Sequence, residues 1–138
     1  MLNVLASINW LSVLTAFAAY FILGALWFTA LFSKPYLLSL GKANEIPQKT
    51  APIFIIGPAI CTLVITIAAA ILMYALNISN IGDALAFGLV IGLGFLFANT
   101  VNIAINPNIP RPLLYGLISG MYHLAGISLA CTVLVLMK

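Results

Sequence analysis

Charged side chains are scarce in this sequence. Its 138 residues include five Lys and Arg and two Asp and Glu, so that 5% of the chain is charged and 64% is hydrophobic. Soluble domains carry about 25% charged residues, and seven charges could not cover the surface of a soluble fold of this size. The same scarcity excludes a disordered chain and a nucleic-acid-binding protein, which needs clustered Lys and Arg. The composition predicts a membrane protein.

Cysteine and histidine are also rare. Two cysteines, Cys61 and Cys131, exclude a disulfide-dense scaffold, and their different depths in the predicted helices make them buried thiols in our interpretation. One histidine without cysteine or carboxylate companions is a poor metal site. We therefore expect neither a metal nor a cofactor.

The positions of the charges divide the chain into four apolar segments. Charge-free runs cover residues 1–33, 50–82, 84–110 and 112–137. A bilayer-spanning helix takes about 20 residues, so each run holds one crossing. We predict an all-α, four-helix transmembrane bundle that forms a single domain over residues 1–138, with spans at about 10–32, 53–76, 84–105 and 113–137. Asn80 is placed to cap the third span.

The first two spans each leave two interpretations open. The first span could be a signal peptide, but its first nine residues carry no Lys or Arg and its apolar run is long, so we expect a permanent helix. The second span follows Pro52 and contains Pro58. It therefore begins either at Pro52, with a kink, or at Pro58.

The short connections predict the orientation. The first and third connections, residues 33–52 and 106–112, lie on one side of the membrane. The other side carries one cation, Lys138, whereas these connections carry four: Lys34, Lys42, Lys49 and Arg111. Because cytoplasmic loops are enriched in Lys and Arg, we expect a multi-pass protein of the cell membrane with both connections in the cytoplasm and both termini outside.

Small residues suggest how the helices pack. Gly88 and Gly92 in the third span, and Gly116 and Gly120 in the fourth, are each four residues apart, and Ala16, Tyr20 and Gly24 repeat that spacing in the first. Such spacings allow close helix contact, either within one chain or between copies. Because one small bundle has little interior for these faces, we expect a homo-oligomer surrounded by membrane lipids.

Polar residues within the spans are the candidate site. No charge lies deep in any span, which disfavours ion-coupled transport. His123 lies near mid-bilayer, about 15 Å from the inner end of its helix, beside Tyr122, and Asn99 and Asn102 share one face of the third span. One interpretation is that these four groups hold helices together. The other is that they line a small pocket or pore.

Three residues at the inner face form a second candidate set. Arg111 lies between two prolines, and Lys34 and Trp27 lie on the same side of the membrane. Arg111 either anchors the topology or joins Lys34 and Trp27 in contacting lipid headgroups.

Several of these residues together resemble a known family. The resemblance is carried by Asn9-Trp10, by Gly24-Ala25-Leu26-Trp27-Phe28 with Leu31-Phe32-Ser33-Lys34, by Asn99, and by Tyr122-His123-Leu124. Over residues 6–137 the chain resembles the small four-helix membrane family catalogued as domain of unknown function 1761. The family pattern has Tyr where this chain has Phe28, and Gly-Lys followed by Trp near Ser33. The resemblance implies an integral membrane protein, bacterial in origin, and supplies no reaction.

These observations leave three classes of function. The first is a non-catalytic module that binds or passes a small molecule or lipid at the mid-membrane site. The second is a structural or accessory subunit whose polar residues serve only packing. The third is a lipid-handling enzyme or scaffold at Arg111 and Lys34. The sequence shows no nucleophile–base–acid set, so we expect no catalytic activity.

The orientation can be tested with reporters fused after Lys138. We expect a reporter that is active only outside the cytoplasm to function there, because the connections before it carry most of the cations. A matched fusion within residues 106–112 serves as the control. Cytoplasmic activity of the Lys138 fusion would contradict the predicted orientation.

Overall fold

The computed structural model describes residues 2–43 and 51–138, and its regular elements are all helices, as predicted. Four helices are long and apolar enough to cross a membrane: α1 (Trp10–Leu31), α3 (Ile53–Ala75), α4 (Ile81–Ala104) and α5 (Pro112–Leu136). A 3₁₀ turn, Leu2–Ala6, precedes α1, and a short helix, α2 (Ser33–Ser39), follows α1. Of the predicted cytoplasmic cations, Lys49 lies outside the described residues.

Asparagine caps set the start of two spanning helices. The Asn9 side-chain oxygen accepts hydrogen bonds from the backbone N–H groups of Leu11 and Ser12, so α1 begins at Trp10. The Asn80 side chain accepts from the Asp83 N–H at 2.9 Å, which confirms the predicted cap. Because a cap satisfies the free N–H groups of a first helical turn, α4 begins directly after Asn80, three residues before the predicted start of its span.

The second span begins at Ile53 and retains Pro58 within the helix. Pro52 therefore lies at the cap position, where a missing N–H costs no helical hydrogen bond. Of the two starts that the sequence left open, the structure has the earlier one.

Two helices end in the same backbone motif. Gly41 after α2 and Asn77 after α3 have positive φ values of 73° and 56°. In each case the N–H of this residue and the N–H of the following residue donate to carbonyls of the last helical turn. This Schellman arrangement favours Gly or Asn, because larger side chains are strained in the left-handed region.

The helix α5 is the centre of the bundle. It packs against α1, α3 and α4, and α1 also packs against α3. The helix α4 contacts chiefly α5. Of the spanning helices α5 has the largest buried share, so a polar side chain on α5 is the one most enclosed by protein.

Tyrosine rings set over glycines join α1 to α5. The Tyr20 ring occupies the position that a side chain at Gly126 would fill, and a methyl group at Gly24 would lie 2.7 Å from the Tyr122 hydroxyl. Each helix thus offers one Tyr and one Gly four residues apart, and the two pairs interlock because the helices are antiparallel. The predicted small-residue stripe of α1 is buried here.

Both glycine pairs of the third and fourth spans are used within the chain. Gly88 and Gly92 of α4 lie against Ser128 and Leu124, and Gly116 and Gly120 of α5 receive Val101 and Phe97. A π-helical turn, Gly92–Phe97, lies in the middle of this contact. Between two contacts with α5, α4 advances five residues, from Gly92 to Phe97, whereas α5 spans four residues. The part of α4 that follows the turn is therefore rotated relative to a regular helix.

Hydrogen bonds tie three helices together at the end of the bundle that carries both termini. The Asn9 N–H donates to the Tyr74 hydroxyl at 3.1 Å, and the Asn9 side chain donates to the Met137 carbonyl at 2.7 Å. Lys138 donates to the Ile78 carbonyl and lies over the Tyr74 ring. These bonds fix the start of α1 against the ends of α3 and α5.

The two cysteines differ in exposure. Both are free thiols, and Cys131 is buried as predicted. The prediction is wrong for Cys61, which is exposed on the outer face of α3, because the buried face of that helix carries residues such as Thr62 and Thr66.

The interlocked tyrosines predict that position 126 does not tolerate a side chain larger than that of glycine. We expect Gly126→Ala to destabilise the protein by about 1–3 kcal/mol, because its methyl group would overlap the Tyr20 ring and force α1 away from α5. Thermal unfolding in lipid nanodiscs measures the change. Gly57→Ala is the matched control, since nothing lies within 4 Å of the added methyl group. Equal stability of the two variants would contradict the packing described here.

Candidate functional site

A hydrogen bond between α1 and α5 lies at the centre of the bundle. The Tyr20 hydroxyl is 2.8 Å from His123 Nδ1 and 3.3 Å from the His123 backbone carbonyl oxygen. Tyr20 is completely buried, and His123 is about 16 Å from the start of α5. In such a dry place a phenol and an imidazole each need a partner, and these two satisfy one another.

Tyr122 lies at the hub of an aromatic cluster beside this bond. Its ring contacts four others at centroid distances of 4.7–6.4 Å: His123, Phe28, Tyr20 and Trp27. Its hydroxyl has a polar contact with Thr62 of α3. The cluster therefore joins α1, α3 and α5. Phe28 contributes an aromatic ring to the cluster, set at 68° to the Tyr122 ring.

His123 lies between two contact stripes of α5. Gly126, three residues later on α5, faces Tyr20 of α1, whereas Gly120, three residues earlier, faces Phe97 of α4. Residues three apart share a side of a helix, so His123 is directed between α1 and α4. Those two helices pack mainly on α5, so the ring lies where they diverge.

The second ring nitrogen of His123 has no hydrogen-bond partner within the described chain. Ser119 Oγ is the one enclosed side-chain polar atom without a partner in that part of the protein. His123 Nε2, also unpaired and on a partly exposed residue, is consequently not enclosed by protein. One ring nitrogen is bonded to Tyr20, and the other is unpaired within the described residues and keeps some surface exposure.

The structure does not bring Asn99 and Asn102 to this cluster. Both side chains are exposed on the outer face of α4, and neither has a hydrogen bond within the described residues. In a regular α-helix Asn99 would follow Gly92 by two turns and face α5. The π turn adds one residue, so Phe97 and Val101 take that face and the amides lie outside.

The second candidate set, Lys34, Arg111 and Trp27, also differs in side-chain accessibility. Lys34 and Arg111 are exposed, and the Arg111 backbone N–H donates to the Ser39 carbonyl at the end of α2. Trp27 is partly buried, and its indole N–H donates to the Ile118 carbonyl at 3.1 Å. Lys34 and Arg111 thus have accessible side chains, whereas the Trp27 donor is used inside the bundle.

Aromatic contacts hold α2 against α5. Tyr36 lies 5.7 Å from Tyr115 and 4.8 Å from Phe28, measured between ring centroids. Burial, with the Tyr115 hydroxyl contributing, raises the pKa of Tyr36 to about 12. Tyr36 is therefore neutral at physiological pH and fixes α2 without charge.

Two grooves lie at the surface near the end of α1 and along α2. One, of about 280 Å³, is lined entirely by apolar and aromatic side chains: Trp27, Phe32, Leu117, Ile118 and Met121. The other, of about 430 Å³, lies along α2 and includes Lys34. Neither is lined by Tyr20 or His123. Within residues 2–43 and 51–138, no group of three His, Cys, Asp or Glu could hold a metal ion.

For two residues of the site the sequence did not show the pairing. Tyr20 had a signal, because it repeats at four-residue spacing with two small residues, but the pattern indicated packing and not a hydrogen bond to His123. Thr62 stands in an apolar run without any pattern that links it to Tyr122. Long-range pairs of this kind depend on helix register, which one sequence does not specify.

Comparison with known proteins yields one match. The family model described as "Protein of unknown function (DUF1761)" matches residues 11–135, nearly the whole chain. No curated protein and no solved structure matches it significantly. The matched range covers nearly all of the four spanning helices and includes Tyr20, Tyr122 and His123.

The hydrogen bond between Tyr20 and His123 can be measured by a double-mutant cycle. We expect Tyr20→Phe and His123→Leu to show a coupling energy of about 0.5–1.5 kcal/mol, the usual value for one interhelical hydrogen bond in a membrane. Unfolding in bicelles provides the four free energies. Tyr20→Phe combined with Tyr74→Phe should be additive, since Tyr74 lies at the outer end. Additivity in the first cycle would contradict the bond.

Proposed function

This chain belongs to the DUF1761 family of proteins of unknown function, and we propose that it is a non-catalytic membrane protein that binds a small lipid-soluble molecule at His123. The observation that carries the proposal is an imidazole fixed by Tyr20 on one nitrogen and accessible on the other. The ligand would reach it from the membrane, between α1 and α4.

The hydrogen-bond geometry supports a definite polarity for the site. A phenol is a good donor and an imidazole nitrogen a good acceptor, so the 2.8 Å contact is best satisfied by the Tyr20 hydroxyl donating to Nδ1. A neutral imidazole then carries its proton on Nε2. The accessible nitrogen is a donor, and its complement is an acceptor such as a carbonyl oxygen.

The surroundings support an uncharged ligand. The four spanning helices contain one charged residue, Asp83, in the first turn of α4. A charged ligand at mid-bilayer would have no counter-charge there, and burying it would be costly. The nearby Tyr122 ring offers contact to a flat or aliphatic group. A lipid-soluble carbonyl compound fits both the donor and the neutral setting.

The proposal includes a location. The four apolar helices support a multi-pass protein of the cell membrane, and the cation distribution favours residues 33–52 and 106–112 on the cytoplasmic side with both termini outside. Membrane lipids then surround the exposed apolar faces. The exposed Lys34 and Arg111 would contact phosphate headgroups at the inner surface.

A structural role is the second candidate. It is favoured by Tyr20, which both fills the notch at Gly126 and bonds His123, so that one side chain joins α1 to α5. On this hypothesis the polar cluster holds an accessory subunit together and binds nothing.

One experiment separates the two candidates. The chain has a single histidine, so ¹⁵N-histidine labelling gives one imidazole whose two nitrogens report its tautomer by NMR in nanodiscs. We expect the Nε2 resonance to shift when a long-chain methyl ketone is added, and not with an alkane of equal length. Tyr20→Phe should weaken ketone binding roughly three- to tenfold, the effect of losing one hydrogen bond.

The control variant is Tyr74→Phe, which removes a hydroxyl at the outer end and should leave binding unchanged. If the ketone shifts Nε2 no more than the alkane does, while Tyr20→Phe lowers only stability, the structural role is the better account.

A further inference from the structure

The face of α4 that points away from α5 presents two amides to the membrane. Asn99 and Asn102 are both exposed and lie three residues apart, hence on one side of the helix. Neither has a hydrogen-bond partner within the described residues. An amide with no partner in hydrocarbon costs several kcal/mol, so this face is incomplete as it stands.

Asn99 lies well inside the membrane. It stands between Phe97, opposite Gly120, and Val101, opposite Gly116, on the α5 side of the same helix. Those two glycines are eight and four residues into α5, or about 12 and 6 Å from its inner end. Asn99 is therefore about 9 Å deep, beyond the reach of a short side chain to water.

Most hydroxyl side chains on the spanning helices contrast with these amides, Ser119 being an exception. Six hydroxyl groups each donate to the carbonyl four residues earlier, as in Thr100 to Leu96. Such side chains are satisfied within their own helix and tolerate lipid. Asn99 and Asn102 have no such bond, so any partner they have comes from outside the described residues.

The rest of the face allows another helix to come close. Gly94 is exposed with nothing within 4 Å of an added methyl group, and Ala98, four residues later, is also exposed. Small residues at that spacing permit close backbone approach. Because Gly88 and Gly92 are already occupied by α5, these residues form a second and separate contact face.

We propose that α4 packs against α4 of a second copy of this chain, with the Asn99 amides hydrogen-bonded to each other across a twofold axis. A carboxamide has both a donor and an acceptor, so two of them pair reciprocally. An axis along the membrane normal makes the two helices parallel and places equal residues at equal depth, which a lipid or an unrelated helix does not do. This contact is independent of ligand binding at His123.

Cysteine cross-linking in proteoliposomes tests the contact. In a Cys61→Ala background, which keeps the buried Cys131, we expect Ala98→Cys to form a disulfide-linked dimer on mild oxidation. Val64→Cys, also at an exposed position but on α3, is the matched control and should stay monomeric. Equal cross-linking at both positions, or none at Ala98→Cys, overturns the proposal.

Removal of the amide tests its role. We expect Asn99→Leu to raise the dimer dissociation constant by about three- to thirtyfold, the effect of the interhelical hydrogen bonds, and Asn99→Gln to retain dimerisation. Asn108→Leu removes an exposed amide outside the spans and should change nothing. The imidazole signal of His123 verifies that each variant is folded. A dimer unaffected by Asn99→Leu, or a monomer at every protein-to-lipid ratio, overturns the proposal.

Discussion

Close approach of α1 to α5, permitted by glycine, is the constraint on which the rest of the structure depends. Lipid tails are as apolar as the helices, so burial of apolar surface contributes little to helix association, and contact distance becomes decisive. The Tyr20 ring over Gly126 and the Tyr122 ring over Gly24 set that distance. With it fixed, the Tyr20 hydroxyl reaches His123 at 2.8 Å. One tyrosine thus determines both how far apart two helices stand and which nitrogen of the histidine is free.

A membrane interior without charge restricts what this site can do. Hydrogen bonding is the polar interaction left to it, and within the described residues most donors are already used: hydroxyls by carbonyls one turn away, the Trp27 indole by Ile118, and Tyr20 by His123. The groups left over are therefore informative. His123 Nε2 at the centre, and Asn99 with Asn102 on the face of α4 away from α5, are the groups that we propose to bind a ligand and a second copy.

The sequence sufficed for the fold because the features that set it are local. Charge-free runs predict four spanning helices, and Asn80 predicts the start of α4, since both depend on neighbours in the chain. The composition of the site was predicted only in part. His123 and Tyr122 are in it, but Tyr20 and Thr62 come from other helices, and their pairing depends on register. Asn99 is on the other face of α4, because no residue pattern in this glycine-rich stretch foretells a π turn.

That π turn has a consequence for how the family should be compared. Gly92–Phe97 holds one residue more than a regular helix would need between the same two contacts with α5. A relative lacking one residue here would keep Gly92 against α5 and turn its counterpart of Asn99 inward, toward the histidine, without any change of side chain. A single gap in an alignment of this segment, normally attributed to a loop, would then separate proteins with amides on opposite sides of the same helix.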